Sequence, residues 1–563
     1  MIRPCLDSRR SQGAAGARGR APLIAGLALA LASVVAVALG STEARAQLAP
    51  PSPGAEALER RDPKTLSLEG YLRIRGDVFY NLDLDHGPTP SGSTLFPLPA
   101  GRPKGQLLES ANMRLRLEPA WRVSRSVRVL AQVDVLDNVV LGSTPQGLPR
   151  DRWTPMIGAT LGQESPESGT NGWQDAVVVR RAWGEVLLPF GVLSVGRQGA
   201  LVNWGTGFFI NAGKDIDADR ADAADRILFA TSLLDHLLLL AFEWSATGPT
   251  SASTWPAEQP FSVERLDDVR TWALGFARYD GDGGLGRRLR AGVWSVNYGV
   301  IASYRSQRLD VPLYYAPGGL EAAYGPQSTV RRDQHTVSAD LWFRLAHRSF
   351  RLELEAAVIW GRIGDASLDP GLSIDQPIQS LQYGGVIQAS WALGRSGVSL
   401  GIEVGMASGD PALGFGVRSP LGQAEALPGD LDGPQLRLPH DARVDNFRFH
   451  PSYRVDLILF RQIVGTVSDA VYLRPWVRYQ TTWGLSLEAV LISSFAMEAE
   501  TPPGQERPLG VELDLGAAYR FDGGFLVQLG FGTLFPLEGL DNLVLGLRAK
   551  PAVTLHALMG FVL

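Results

Sequence analysis

Thiols are all but missing: Cys5 is the only cysteine in 563 residues. Past it the chain has no means of forming a disulfide or a thiolate metal site, and no cysteine to carry a lipid anchor. Charge of one sign is lacking too. The formal net charge is −5 and no basic run is interleaved with aromatics, so nucleic acid is not expected as a partner. Beyond Leu39 no apolar run of 18 residues occurs, so no transmembrane helix is expected. The histidines (His86, His236, His335, His347, His440, His450 and His556) show no H-x-x-x-H spacing, and no cofactor is expected.

What is present begins with an export signature. Arg3, Arg9, Arg10, Arg18 and Arg20 precede the apolar run Ala21–Leu39, and Ala44-Arg45-Ala46 supplies a small-residue cleavage site. Residues 1–46 read as a signal peptide, and residues 47–66, rich in proline and charge, as a disordered lead-in. Arg9-Arg10 could open a twin-arginine signal, but the Ser-Gln-Gly-Ala that follows lacks the expected apolar character.

From residue 67 to 563 the hydrophobic pattern alternates. In SLEGYLRIRGDVFYN, Leu68, Leu72, Ile74 and Val78 share one face, and Glu69, Arg73, Arg75 and Asp77 the other. A strand separates these sets and a helix mixes them. Met113, Leu115 and Leu117 oppose Arg114, Arg116 and Glu118 in the same way, and Val127, Val129, Val133 and Val135 oppose Arg128, Gln132 and Asp134. A soluble sandwich also alternates, so three further features decide the matter. Segments of about 9–14 residues exceed the usual soluble strand. Aromatics (Trp121, Trp204, Trp244, Tyr279, Tyr298, Trp360) fall near segment ends, as in the girdles of membrane barrels. Finally, short turns near 123–125, 189–191, 234–236, 281–286, 346–349, 394–397, 481–484 and 522–524 alternate with long connections, the longest at 409–470. Periplasmic turns and extracellular loops produce that rhythm. The expectation is an all-β transmembrane antiparallel up-and-down barrel of about 18 strands, within 16–20. Pro475 cannot donate to a closed ladder, so a bulge there or a strand starting there is expected.

Such a barrel is too wide for its wall side chains to fill. The alternation assigns to the inner face Arg73, Arg75, Asp77, Arg114, Arg116, Glu118, Arg128, Asp134, Asp340, Arg344, Arg351, Glu353, Glu355, Arg474, Arg478, Glu512 and Asp514. Glu69, Glu403 and Glu488 join them. This reads as a solvated wall of paired charges, or as a field that orients polar solutes, and its near balance argues against strong ion selectivity. Residues 445–470 fit no strand. They mix Arg448, His450, Arg454, Asp456 and Arg461 with Phe447, Phe449, Leu457, Ile458 and Phe460, and read as a loop folded into the lumen, a constriction or a plug. An extracellular strand pair and a periplasm-facing miscount of the connections are the other readings.

The stretches NFRFHPSYRVDLILFRQIVGTVSDA (446–470), GRQGALVNWGTGFFINAGKDIDADRADAADR (196–226) and GYLRIRGDVFYNLDL (70–84) resemble an uncharacterised family of porin-like outer-membrane barrels from myxobacteria and their relatives. That resemblance implies the barrel and the outer membrane of a Gram-negative bacterium, and no particular solute.

Three motifs invite a chemical reading. Gly397-Val398-Ser399-Leu400-Gly401 matches a nucleophile elbow, but Ser399 sits mid-strand with no following helix, so no enzyme is expected. Tyr279-Asp280-Gly281-Asp282-Gly283-Gly284 reads as a hairpin turn. In 211–226, a calcium loop starting at Asp215 would need Gly and Glu where Arg220 and Arg226 stand. A looser Ca²⁺ site could use Asp215, Asp217, Asp219 and Asp222, but Lys214, Arg220 and Arg226 offer partners within the loop, so ion pairing is the main expectation. The function expected is passive diffusion of small polar solutes through a charged lumen narrowed by 445–463. A plugged barrel serving as a surface-binding or structural module is the alternative, and a barrel hydrolase a lesser one. Outer-membrane lipid, lipopolysaccharide and the barrel-assembly machinery are the partners such a protein meets.

Overall fold

The computed structural model describes residues 65–563 except 93–94, 97–105, 143–174, 248–260, 263–264, 311–328, 366–375, 395, 418–426, 432, 434–440 and 522. The signal peptide and nearly all of the lead-in lie outside the described residues. Eighteen strands follow one another: β1 (Leu66–Tyr80), β2 (Leu107–Arg122), β3 (Val127–Val140), β4 (Val177–Leu188), β5 (Gly191–Gln198) and β6 (Ala224–Leu233). Next come β7 (His236–Ala246), β8 (Val269–Arg278), β9 (Ser295–Asp310), β10 (Val330–His347), β11 (Phe350–Ile363) and β12 (Ile378–Ala392). The last are β13 (Val398–Ala407), β14 (Ala470–Gln480), β15 (Leu485–Ala496), β16 (Pro508–Phe521), β17 (Phe525–Pro536) and β18 (Ala552–Val562). Each pairs antiparallel with its neighbours in sequence, and β1 pairs with β18 from Tyr71↔Val562 to Tyr80↔Val553, which closes the sheet. An 18-stranded up-and-down barrel leaves no free edge.

The wall obeys the period of two. Outward Trp121, Leu341, Trp360 and Ile387 are each more than half exposed, although all four are large and apolar. A surface of that kind belongs against lipid. Two of the aromatics expected in the girdle are elsewhere: Trp204 lies past the end of β5 and Tyr279 past the end of β8, and both pack against Trp342. Strand parity does not extend beyond a strand's end.

One short turn departs from expectation. Residues 282–291 form a helix, α1 (Asp282–Ala291), in place of a tight hairpin turn. Gly281 has φ −55°, so the glycines here supply no left-handed turn, and the helix ends only at Gly292, at φ 69°. Gly292 N donates to Leu289 O at 3.1 Å, and Arg288 and Arg290 occupy the last turn, where cations suit the helix dipole. Pro475 also behaves differently from expectation. It sits inside β14, opposite Ile402 of β13, and the β14–β15 register runs from Leu473↔Ser493 to Trp476↔Val490 with no shift. The ladder loses bonds at 474–475 and is neither bulged nor restarted.

The apolar core belongs to the loops. Phe208, Phe415, Phe447, Phe449, Ile458, Leu459, Ile463 and Val464 are almost fully buried, together with Leu84 from the β1–β2 loop. Phe208 lies 4.7 Å from Phe449 and 5.8 Å from Phe447, ring to ring. Wall glycines leave room for this mass. A methyl group on Gly384 would stand 2.6 Å from the Phe447 ring, and one on Gly532 would stand 3.1 Å from Leu457 Cβ.

Candidate functional site

Two connections meet inside the wall, the β5–β6 loop (199–223) and the β13–β14 loop (408–469). The first crosses from one side of the barrel to the other. Thr206 N and Oγ1 and Gly207 N donate to Glu355 on β11, with the Oγ1 bond at 2.7 Å. Thirteen residues later, Asp219 reaches Arg73 of β1 at 3.0 Å and Arg114 of β2 at 3.2 Å. In a ring of 18 strands, β1–β2 and β10–β11 are diametrically opposed. Arg73 and Arg114 are each the eighth residue of their strands, so the loop meets this part of the wall at mid-height.

The aspartates of 211–226 divide into separate tasks. Asp215 accepts from Asp217 N at 2.8 Å, and Asp222 accepts from Asn211 N at 2.6 Å, so both shape the loop itself. Asp217 pairs with Arg461 at 2.7 Å and Arg75 at 3.0 Å, with His556 at 3.6 Å. Asp219 pairs with Arg73, Arg75 and Arg114. Asp225 faces outward on β6, gripped by Arg197 at 2.8 Å. The cations on Asp217 and Asp219 therefore come from the wall and from Arg461, and the loop's own Lys214, Arg220 and Arg226 are replaced in that role. Arg226 pairs with Glu243. The four aspartates of the calcium reading do not converge on a common point, and among the described residues no group of His, Cys, Asp and Glu is arranged to hold a metal ion.

Burial opposes the ionisation of Asp217, but Arg461, His556, Arg454 and Arg75 outweigh it and hold the carboxyl down at about 2. Asp219 is depressed as well, burial again being outweighed by Arg75, Arg73 and Arg114. The wall arginines also grip the loop backbone. Arg73 donates to Ile216 O at 3.0 Å, Arg114 to Ala218 O at 2.9 Å, Arg116 to Gly213 O at 3.3 Å and Arg181 to Asp222 O at 2.8 Å.

Part of the inner wall is buried rather than solvated, while Arg351, Arg478 and Arg305 keep exposed side chains. The side chains of Arg73, Arg114, Asp134 and Asp137 are 0% exposed. Arg116 donates to Asp134 at 2.7 and 2.9 Å, Gln132 bonds Glu118, and Arg128 bonds Glu185. Asp77 meets His556 at 2.6 Å. Arg351 bonds Glu353, which also accepts from Trp342 at 2.7 Å. Asp340 lies buried near Glu355, while Arg344 stacks over Trp342 at 5.2 Å. Arg474 meets Glu403 at 3.4 Å, and Arg478 meets the more exposed Glu488 at 3.0 Å. Glu69, near the start of β1, is exposed.

The second loop is held as tightly. Glu512 accepts from Leu457, Ile458 and Leu459 N at 2.8–3.0 Å, at the start of a π-helical turn, Leu459–Val464. Asp514 lies beside Glu512. Asp456 accepts from Phe460 and Arg461 N, and burial pushes its carboxyl up to about 6. Tyr453 donates to Glu403 at 2.8 Å. The loops are joined by His450 N to Phe208 O at 2.7 Å, Ser452 Oγ to Arg220 O at 2.7 Å and the Arg461–Asp217 pair, while Arg454 Nη2 reaches Asp217 O at 3.5 Å. Arg448 keeps an exposed side chain. Residues 445–469 make an isolated bridge, Arg448↔Ser468, and no strand pair.

Several participants escape the alternation. Arg180 and Arg181 both serve the inside because the β3–β4 register skips one residue between Gln132↔Arg181 and Val133↔Val179. Arg180 bonds Asp137 and meets Asp134 at 3.1 Å. Asp137 and Asn138 lie in a bulge of β3 where Leu136 and Asn138 have φ 53° and 52°. The arginine doublet within VVVRRAW was the visible trace of this irregularity.

No family model matches the chain, and no curated protein matches it. Solved structures do. OccK9 of Pseudomonas aeruginosa is 12% identical, covering 88% of this chain and 98% of that one, with TM-score 0.43. A BenF-like porin from Pseudomonas fluorescens is 10% identical over 88% and 98%, with TM-score 0.43. OmpT, an outer membrane protein of Vibrio cholerae, is 9% identical over 90% and 99%, with TM-score 0.33.

Proposed function

We infer that this barrel is an outer-membrane channel through which small polar solutes diffuse, its aqueous path narrowed by the paired loops. The observation carrying this reading is the β5–β6 loop, bound across the lumen at Glu355 and at the Arg73–Arg75–Arg114 cluster. A wide barrel needs something to set its bore, and a strap fixed at both ends does so without closing the whole section. Lys214, Asp215, Arg220 and inward Arg305 are exposed, and this mixed set would wet the path while giving little preference for either ion sign. Kinship with the myxobacterial barrels that 196–226 and 446–470 resemble belongs to the same reading.

Single-channel recording in planar bilayers tests it. Wild-type protein should conduct, and replacing 204–222 by a short Gly/Ser turn should raise conductance severalfold. The apolar loop core and the dry charges beside it favour one other reading, a plugged barrel with a surface role. That reading stands if wild type is silent and only loop-deleted protein, lacking 204–222 or 440–466, conducts. If neither conducts, the channel reading fails.

A further inference from the structure

The lipid-facing wall carries a cationic sector. Near the loop end of four consecutive strands, Arg270 (β8), Arg308 (β9) and Arg362 (β11) project outward, and Arg331 (β10), beyond a register shift, has an exposed side chain. The facing of Arg270, Arg308 and Arg362 follows from parity: Trp272, Tyr304 and Trp360, exposed on the same strands, lie two or four residues from them. The buried Arg332 beside Arg331 pairs with Asp310. Register sets the four close together. Arg270 faces Ser306, Ser306 faces His335, and His335 faces Arg362, while Arg331 lies opposite Leu309, next to Arg308. Four strands span roughly 15 Å across.

The aromatics Trp272, Tyr304 and Trp360 sit on the turn side of this row, with Tyr304 Oη bonded to His335 Nδ1 at 2.7 Å. Aromatic belts mark the boundary between acyl chains and headgroups. The arginines one step beyond them are therefore at headgroup level. Asp268 pairs with Arg270 at 3.0 Å and Asp333 with Arg331 at 2.6 Å. Among the described residues no carboxylate is paired with Arg308 or Arg362. Strands β14–β18 differ. Outward residues near the loop ends of β14 to β18 are Val471, Phe495, Val511, Phe535 and Val553. Outward Arg197 of β5 is held by both oxygens of Asp225, so the positive charge left without a carboxylate gathers on β9 and β11.

We propose that this arginine sector is a binding site for the phosphorylated headgroup of an outer-leaflet glycolipid. Guanidinium forks suit phosphate oxygens, and a row about 15 Å wide suits a headgroup carrying more than one phosphate. A single-phosphate phospholipid would engage only part of it. The inference rests on the outer-membrane reading, because it takes the long-loop end as the outer leaflet.

The test uses purified full-length barrel in nanodiscs, with a bis-phosphorylated, hexa-acylated glucosamine disaccharide lipid as probe and phosphatidylglycerol as competitor. Retained lipid is read by native mass spectrometry. Wild type should hold the glycolipid in preference to phosphatidylglycerol. Arg308→Gln with Arg362→Gln should weaken retention on the order of tenfold, and all four substitutions on the order of a hundredfold. Arg125→Gln, in the β2–β3 turn at the far end of the barrel, should change nothing. Equal retention by the fourfold variant, or equal retention of phosphatidylglycerol, overturns the proposal. Conductance and heat-modifiable electrophoretic mobility of each variant report separately on the channel and on folding. The lipid site can thus fail while the channel stands, and the reverse.

Discussion

Asp217 sits where the two loops and the wall meet, and its side chain is 12% exposed. An aspartate held near 2, against 3.8 without partners, contributes stability that is complete above the higher value and lost as pH falls through the lower one. Docking of residues 211–222 should therefore survive to pH 4 and weaken toward pH 2. Pepsin digestion across that range reads it as cleavage within the loop that begins only near the acid end. Asp217→Asn leaves Arg75 and Arg461 facing a neutral group in a buried site and should weaken docking by about 3 kcal/mol. Cleavage would then appear already at pH 4, and unchanged cleavage would sink this account. The acidic character of 211–226 was plain in the sequence, as was the inward facing of Arg73, Arg75 and Arg114. That these residues meet was not legible, because they lie between 105 and 146 residues apart and only the closed barrel joins them. Glu355 likewise gave no hint of accepting backbone N–H groups from Thr206 and Gly207.

At the scale of elements, the loops fit because the wall yields space at chosen points. Gly384 and Gly532 both have ordinary negative φ, so a larger residue there meets a steric obstacle and no backbone strain. Gly532→Val should crowd Asp514 and Thr554 on the wall together with Leu457 and destabilise the β13–β14 loop by about 1–3 kcal/mol. Hydrogen exchange should then rise at 456–464 while the strand amides of β16 and β17 stay protected; exchange rising equally in both would count against the mechanism. The strands themselves were legible from one end to the other, since each is long, alternates cleanly and is bounded by turns or loops. α1 was hidden because Gly281, Gly283 and Gly284 imitate a hairpin turn, while the signals that favour a helix, Arg288, Arg290 and Gly292, come later in the chain. The bulges of β3 and β4 were hidden for a related reason: one inserted residue breaks the parity used to assign a face.

At the scale of the whole molecule, closure depends on the last eleven paired residues. Strand β18 bonds β1 across ten registered pairs, so removing Leu558–Leu563 deletes the partners of Tyr71 to Arg75 and opens an edge. The truncated chain should lose the heat-modifiable mobility of a closed barrel, and retention of that mobility would mean that closure tolerates a partial seam. The wall is also uneven in height. β5 has 8 residues and β6 and β8 have 10, while β10 has 18. At a tilt of about 40°, 8 residues rise roughly 20 Å, less than the usual apolar band of about 25 Å, whereas 18 residues rise roughly 45 Å. The surplus length of β10 lies beyond the girdle, where Arg331, Asp333 and His335 stand, so the mismatch falls on the short side alone. Acyl chains beside β5 would have to compress to meet its 8 residues, a local thinning of the lipid annulus set by one strand.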